Sequence, residues 1–324
     1  MHYRFDRQSL ARGLMVWGPR LGLVAALLAA CGVLTLLRPH FLSVPNLTNV
    51  VRQVSINGLL AVGVTWVLLT GGVDLSLGSV VALSGVVAAH LAHPGMYPLW
   101  VPIAAGIAAG AACGGINGLF VARGGVPPFI ATLGMMTAAR GLALVLSGGR
   151  PVSNMSPALT RLAGDWSHVP VPALILGGVA LAAGWTLRNT RPGRYLFAVG
   201  GNEQAARAAG IPVRGIKGLA YTVCGALAGL AGFVLAARIT TGQPNAGVGY
   251  ELDAIAAVVI GGTSLSGGVG SVGGTLLGVL LMGVIGNGLD LLNVSSYYQQ
   301  IVKGAIIVGA VWFDRRQRRT VRRV

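Results

Sequence analysis

Charge is what this sequence has least of. Asp, Glu, Lys and Arg together make up 10% of its 324 residues, where a soluble domain carries about 25%. That is too little to solvate a surface of ordinary size. Acids are scarcer still, with eight Asp and Glu in all, and lysine occurs only at Lys217 and Lys303. Each lysine precedes a glycine, so the chain holds no G-x-x-x-x-G-K-[ST] phosphate loop and is not itself an ATPase of that kind. The histidines, His2, His40, His90, His93 and His168, form no H-E-x-x-H, and His90 with His93 reads as an interfacial pair. Cys31, Cys113 and Cys224 each lie inside an apolar run without metal spacing, so they read as small buried residues and not as a disulfide framework. No nucleophile–base set is present. These absences exclude a metal site, a cofactor site and a catalytic centre from the expectations.

Hydrophobic residues make up 54%, the mean hydropathy is +0.72, and glycine stands at 51 positions. An apolar run of about 20 residues crosses a bilayer, and glycine lets membrane helices approach backbone to backbone. The fold class expected is an all-α integral membrane protein. Ten apolar segments can be marked, at 21–37, 54–71, 75–92, 98–121, 128–147, 171–187, 218–237, 251–265, 271–292 and 298–313. Turn chemistry separates most of them, as at His93-Pro94-Gly95, Gly124-Gly125-Val126-Pro127-Pro128 and Gly242-Gln243-Pro244-Asn245. At 71–75 and 265–271 the segments nearly touch, and a broken helix fits there as well as a loop. The first run is of span length and Arg38-Pro39-His40 follows it in place of a cleavage site, so it reads as a retained helix.

The net charge of +16 sits at the ends and in loops, not on an amphipathic face with interleaved aromatics, which argues against nucleic acid. With both ends cytoplasmic, seventeen Lys and Arg fall inside and five outside, as the positive-inside rule requires. The expected organisation is a cytoplasmic tail at 1–20, a membrane domain at 21–313 with a cytoplasmic loop at 188–217, and a basic tail at 314–324. Asn117-Gly118-Leu119 matches Asn287-Gly288-Leu289, and Asp74-Leu75-Ser76 matches Glu251-Leu252-Asp253. Those matches give two halves of five spans, which an odd count makes inverted, a recurrent transporter design. A rival match of Gly71-Gly72 with Gly261-Gly262 would leave the halves unequal.

Gly106, Gly110, Gly114 and Gly118, and likewise Gly270, Gly274 and Gly278, recur every four residues. We read both stripes as static packing faces. Asp74, Glu251, Asp253 and Asp290 stand at or near span ends, where an acid faces the bundle interior or water. Asp74 reads equally as a path residue or as an N-cap. An Asp290–Lys303 pair is expected across the last hairpin. In the largest loop, Asn202 to Pro212 reads as a short capped helix. Asn202 is the N-cap, Glu203 lies in the first turn four residues from Arg207, and Gly210 and Pro212 end it. Its alanine surface fits either a docking element or a plain surface helix.

Five longer runs carry a resemblance: Asn57 to Ser79 (NGLLAVGVTWVLLTGGVDLSLGS), Phe129 to Leu133 (FIATL), Gly193 to Gly210 (GRYLFAVGGNEQAARAAG), Gly249 to Ser266 (GYELDAIAAVVIGGTSLS) and Val294 to Gly304 (VSSYYQQIVKG). From about Phe41 to Asp314 the chain resembles the permease subunits of bacterial ABC sugar importers, the ribose-permease family. The resemblance implies alternating-access import of a monosaccharide, ribose or a similar pentose, across the bacterial inner membrane. It implies two cytoplasmic ABC ATPase subunits, a periplasmic sugar-binding protein and a second permease, identical or paralogous. It also implies that Gly201, Asn202, Glu203, Ala205, Ala206, Arg207 and Gly210 form the helix that couples to the ATPase. Asp74, Ser76, Asn117, Thr132, Glu251 and Asn287 are the expected lining of the translocation path. The alternatives are a permease for another monosaccharide or a furanose signal, or an ion-coupled carrier. The last needs a buried titratable relay, whereas the acids here cluster at span ends.

Overall fold

The structure, a computed structural model, describes residues 7–166 and 169–321. Thirteen helices follow one another among them: α1 Arg7–Leu37, α2 Val44–Leu69, α3 Leu77–Leu91, α4 Trp100–Ala122, α5 Pro128–Ser147, α6 Pro157–Arg161, α7 Val171–Asn189, α8 Arg191–Gly201, α9 Glu203–Ala208, α10 Val213–Ile239, α11 Tyr250–Ile260, α12 Val272–Leu291 and α13 Ser296–Val321. A two-residue antiparallel pairing of Asp165–Trp166 with Val169–Pro170 is the one sheet among the described residues. His168 and the extreme tails, 1–6 and 322–324, lie outside them.

Helix ends follow local chemistry. Pro45, Pro128 and Pro172 sit in first turns, where the missing N–H costs nothing. Gly148 closes α5 in the left-handed conformation, and Ser271 caps α12 by accepting from the Gly274 N–H at 3.1 Å. Six helices, α2, α4, α5, α7, α10 and α12, are long and apolar enough to cross a membrane. The chain is therefore an all-α membrane protein.

Several expected boundaries change. α2 starts ten residues before position 54, because Asn46 and Arg52 find tertiary partners that hydropathy does not register. α11 stops at Ile260, before Gly261 and Gly262. At about 1.5 Å per residue its 11 residues span about 16 Å, half of a hydrocarbon core of about 30 Å. α3, with 15 residues, is also short. α1 begins at Arg7, well ahead of its apolar run, and α13 continues to Val321 through the basic segment.

The core is built around α2 and α10. α10 packs on α4, α3 and α2, while α2 packs on α12, α11 and α7. At the α4–α10 contact the backbones touch. A Cβ on Gly114 would strike the Tyr221 carbonyl, and one on Gly110 the Gly225 carbonyl. In the second stripe only Gly274 and Gly278 are helical, meeting Gly261 and Ala257, while Gly270 precedes α12 and faces the Thr263 side chain. Gly114→Leu should therefore destabilise the bundle by about 3 kcal/mol or more. Gly115→Ala, whose Cβ meets only the Thr222 hydroxyl at 3.6 Å, should stay within about 0.5 kcal/mol. Unfolding of the purified chain in mixed detergent reads both.

Candidate functional site

The short helix expected at 202–210 is α9, capped by Asn202, and a second helix, α8, leads into it. Thr190 caps α8 by accepting from the Gly193 N–H at 3.3 Å, and Pro192 fits its first turn. Leu196 and Val199 turn inward and hold α8 on the bundle. Asn202 is extended, with φ −159°, and breaks the chain between α8 and α9. Its Oδ1 accepts from the Ala205 N–H at 2.9 Å, the N-cap of α9. Glu203 meets Arg207 at 3.0 Å one turn on and Lys217 of α10 at 2.6 Å. The Lys217 contact first, and Arg207 after it, hold the Glu203 carboxyl below its ordinary range against a partial desolvation. Ala206 is the one buried residue of α9, while Gln204, Ala205, Arg207 and Ala208 face outward. Gly210, at φ +79°, ends the turn, and the Ile211 N–H returns to the Ala206 carbonyl at 3.0 Å.

The end of α8 meets two other chain segments at bare backbone. A Cβ on Gly200 would collide with the Leu69 carbonyl oxygen and the Gly268 nitrogen. The Gly268 N–H donates to that same Leu69 carbonyl at 3.0 Å. Gly267 and Gly268 stand against Gly200 and Gly201. Thus the segment leading into α9 is joined to the break after α2 and to the loop between α11 and α12. Gly200, Gly267, Gly268, Lys217 and Leu69 were not among the expected site residues. Paired glycines at 71–72, 200–201, 261–262 and 267–268 were the available signal.

The first break positions a buried polar cluster. After Leu69, Gly71 turns at φ +76° and the chain runs extended to α3. Asp74 is 1% exposed. Its Oδ1 accepts from the Ser76 N–H at 2.9 Å and the Ser76 hydroxyl at 2.6 Å. This is a local turn two residues long, so Asp74 is not the N-cap: that position is Ser76, whose side chain caps nothing. Asn117 of α4 donates from Nδ2 to Ser76 Oγ at 3.1 Å, while its own buried Oδ1 has no partner. Tyr221 of α10 donates to the Val73 carbonyl at 3.2 Å. α4 and α10 therefore both close on the segment that carries Asp74.

Residues 242–247 run back along α3. Gly242 pairs with Val152 and lies against Gly85 and Val86, and Gly247 lies against Gly78. Arg140 of α5 donates to the Pro244 and Ala246 carbonyls. α11 then starts at Tyr250, with Glu251 and Asp253 in its first turn, where negative charge suits the exposed N–H groups. The Glu251 carboxylate lies beside Gly78 in the first turn of α3. The first turns of the two short helices thus meet.

Of the six expected path residues, Asp74, Ser76 and Asn117 share one network, and Glu251 of α11 stands beside the first turn of α3. Thr132 is buried but donates to the Pro128 carbonyl of its own helix. Asn287 exchanges amide hydrogen bonds of 2.9 and 2.8 Å with Asn46 at the start of α2. Neither joins the cluster. The expected Asp290–Lys303 pair is not formed. Lys303 meets Asp253 of α11 at 2.7 Å, and Asp290 accepts from Gln299 at 2.8 Å. α13 packs on α11, which carries Lys303 to the acid of that helix.

Comparison with known proteins agrees with the sequence motifs. The family model described as branched-chain amino acid transport system / permease component matches residues 46–311. Ribose import permease protein RbsC of Escherichia coli (strain K12) is 48% identical over 297 residues, 90% of this chain and 92% of the relative. Its namesake from Bacillus subtilis (strain 168) is 46% identical over 304 residues, 93% and 92% of the two chains. L-arabinose transport system permease protein AraH of Escherichia coli (strain K12) is 37% identical over 301 residues, 93% and 90%. No solved structure matches the chain. With its polytopic helical fold and a match over most of its length, this chain belongs to the family of branched-chain amino acid transport system permease components.

Proposed function

We propose that this chain is the membrane permease of an ABC sugar importer in the bacterial inner membrane, moving ribose or a similar pentose from periplasm to cytoplasm by alternating access. ATP hydrolysis is the work of two cytoplasmic ATPase subunits, a periplasmic binding protein delivers the sugar, and a second permease copy or paralogue completes the path. Identity of 48% to a ribose import permease supports the substrate class. The arrangement has ten membrane crossings and both termini in the cytoplasm, on the asymmetry of Lys and Arg. The crossings are α1 to α5, α7 and α10 to α13, with α3 and α11 reaching only part of the way. Reciprocal packing, α10 on α3 and α4 and α2 on α11 and α12, supports two inverted halves, each with one short helix.

The observation that carries the mechanism is the glycine joint. α9 presents Gln204, Ala205, Arg207 and Ala208 to the ATPase. A push on α9 passes through Gly200 and Gly201 to Leu69 and Gly268, the ends of both helix breaks. Those breaks lead into α3 and α12. Asp74, Ser76, Asn117 and Glu251 line the polar part of the path. An unpartnered buried acceptor on Asn117 beside a carboxylate suits a ligand made of hydroxyl donors. The test is ATP-driven ribose uptake by vesicles holding the permease, its ATPase and its binding protein. The Glu203→Ala/Arg207→Ala variant should lose at least about 90% of uptake and most ATPase association, because half-buried charged pairs and an outward cation go together. Normal assembly with normal uptake would remove the docking role.

A further inference from the structure

An apolar groove of about 1060 Å³ opens on the outside of the bundle between α1, α7 and α12. It lies at the end of the molecule that carries α8, and none of Asp74, Ser76 and Asn117 lines it. Its floor is Ala180, Leu187 and Val272, all buried, and its rim includes Leu181 and Trp185. Gly177, Gly184 and Gly273 line it, and a Cβ on any of the three would meet nothing within 4 Å. The glycines keep the groove open; they do not bring helices together there.

One end of the groove differs from the rest. Arg188 and Asn189, the last residues of α7, stand at it. Arg188 is exposed and forms no ion pair among the described residues. Among the described residues, no acidic one lines the groove. The stretch of α7 along it, 177–189, is about 18 Å long at about 1.5 Å per residue. That is the depth of one leaflet of a core of about 30 Å with part of its headgroup layer. Trp185 sits one turn before Arg188, the depth at which tryptophan marks the membrane interface. A groove one leaflet deep, apolar along its length and cationic at its headgroup end, fits one kind of occupant. A second permease copy would cover a helix face along its whole length, whereas the one cation lining this groove among the described residues stands at its end.

We infer that this groove holds an anionic phospholipid, its acyl chains along α7 and α12 and its phosphate at Arg188. Basic pockets between membrane helices are known to select such headgroups. Bound there, the lipid ties α1 and α7 to the start of α12, the helix that follows the Gly267–Gly268 joint.

Native mass spectrometry and thermal unfolding of the full chain in detergent, with phosphatidylglycerol or phosphatidylcholine added, test this independently of orientation and transport. The wild type should retain phosphatidylglycerol in preference and unfold at a higher temperature with it, and glycerol 3-phosphate alone should give no protection. Arg188→Gln, a surface change, should weaken phosphatidylglycerol binding about fivefold and leave phosphatidylcholine unaffected. Gly184→Phe, at a groove position where a Cβ meets nothing within 4 Å, should abolish retention, while Gly134→Phe, on the open outer face of α5, should not. Equal retention of the two lipids, or phosphatidylglycerol binding unchanged in both Arg188→Gln and Gly184→Phe, would overturn the proposal. Protection by glycerol 3-phosphate alone would reassign the site to a soluble phosphate and overturn it as well.

Discussion

Gly200→Leu is expected to abolish sugar uptake while the importer still assembles and hydrolyses ATP. The side chain would have to occupy the space of the Leu69 carbonyl and the Gly268 nitrogen. Both are backbone atoms, so neither can swing away, and the hydrogen bond between them at 3.0 Å must open. α9 is held separately, through Glu203 and Lys217 at 2.6 Å, so the docking surface survives. Of α2 the clash touches only the last residue, while the α4–α10 contact and the rest of α2 are untouched and keep the chain folded. The lost link is the one between α9 and the helix breaks. Uptake should fall more than tenfold, which corresponds to a loss of about 1.4 kcal/mol or more in the coupling step. Gly215→Leu, outside the joint and exposed in the first turn of α10, is the control, since a Cβ there meets nothing within 4 Å, and it should keep most of the wild-type uptake. Uptake and ATP hydrolysis measured on the same vesicles separate the two variants.

The second large effect is expected at Asp74. Asp74→Asn keeps the Oδ1 acceptor that binds the Ser76 N–H and hydroxyl, so the turn into α3 should hold and the chain should accumulate normally. What is lost is a carboxylate that can accept several hydroxyl hydrogens at once. Uptake should drop at least about tenfold, a hydrogen bond to a charged acceptor contributing about 1.5–3 kcal/mol. Asp74→Ala removes the acceptor altogether and leaves two donors of Ser76 unpaired in a buried site. Each such group costs about 1–3 kcal/mol, so this variant should lose both uptake and protein from the membrane. Comparing membrane abundance with uptake distinguishes the path role from the turn. If Asp74→Asn transports like the wild type, Asp74 serves the turn alone.

What the sequence discloses follows the range of the forces involved. The helix at 203–208 is legible because its signals are local: an Asn cap, an i,i+4 pair and a terminal glycine, all within nine residues. The membrane class is legible from composition. Long-range satisfaction is not. Asn46 and Arg52 read as loop residues, yet both are in α2, one paired with Asn287 and the other with Asp165 at 2.6 Å. Lys303 was assigned to the nearer acid in sequence and meets the nearer acid in space, Asp253. The paired glycines marked the stretches of the joint but not their meeting, for the same reason. Gly200, Leu69 and Gly268 come from three distant stretches, and only folding brings their backbones together. Thr132 and Asn287, expected along the path from their polarity, are each hydrogen-bonded apart from the Asp74 cluster, one by its own helix and one by a partner amide.

In the proposed mechanism α9 is where the cytoplasmic engine meets this chain, and a photocrosslink reads that contact. A benzophenone side chain in place of Ala205, exposed on α9, is compared in intact cells with one in place of Met96, 54% exposed in the turn after α3. The Ala205 probe should capture the ATPase subunit, and the Met96 probe should not. Capture of the ATPase from Met96, or capture from neither while uptake proceeds normally, would contradict the account.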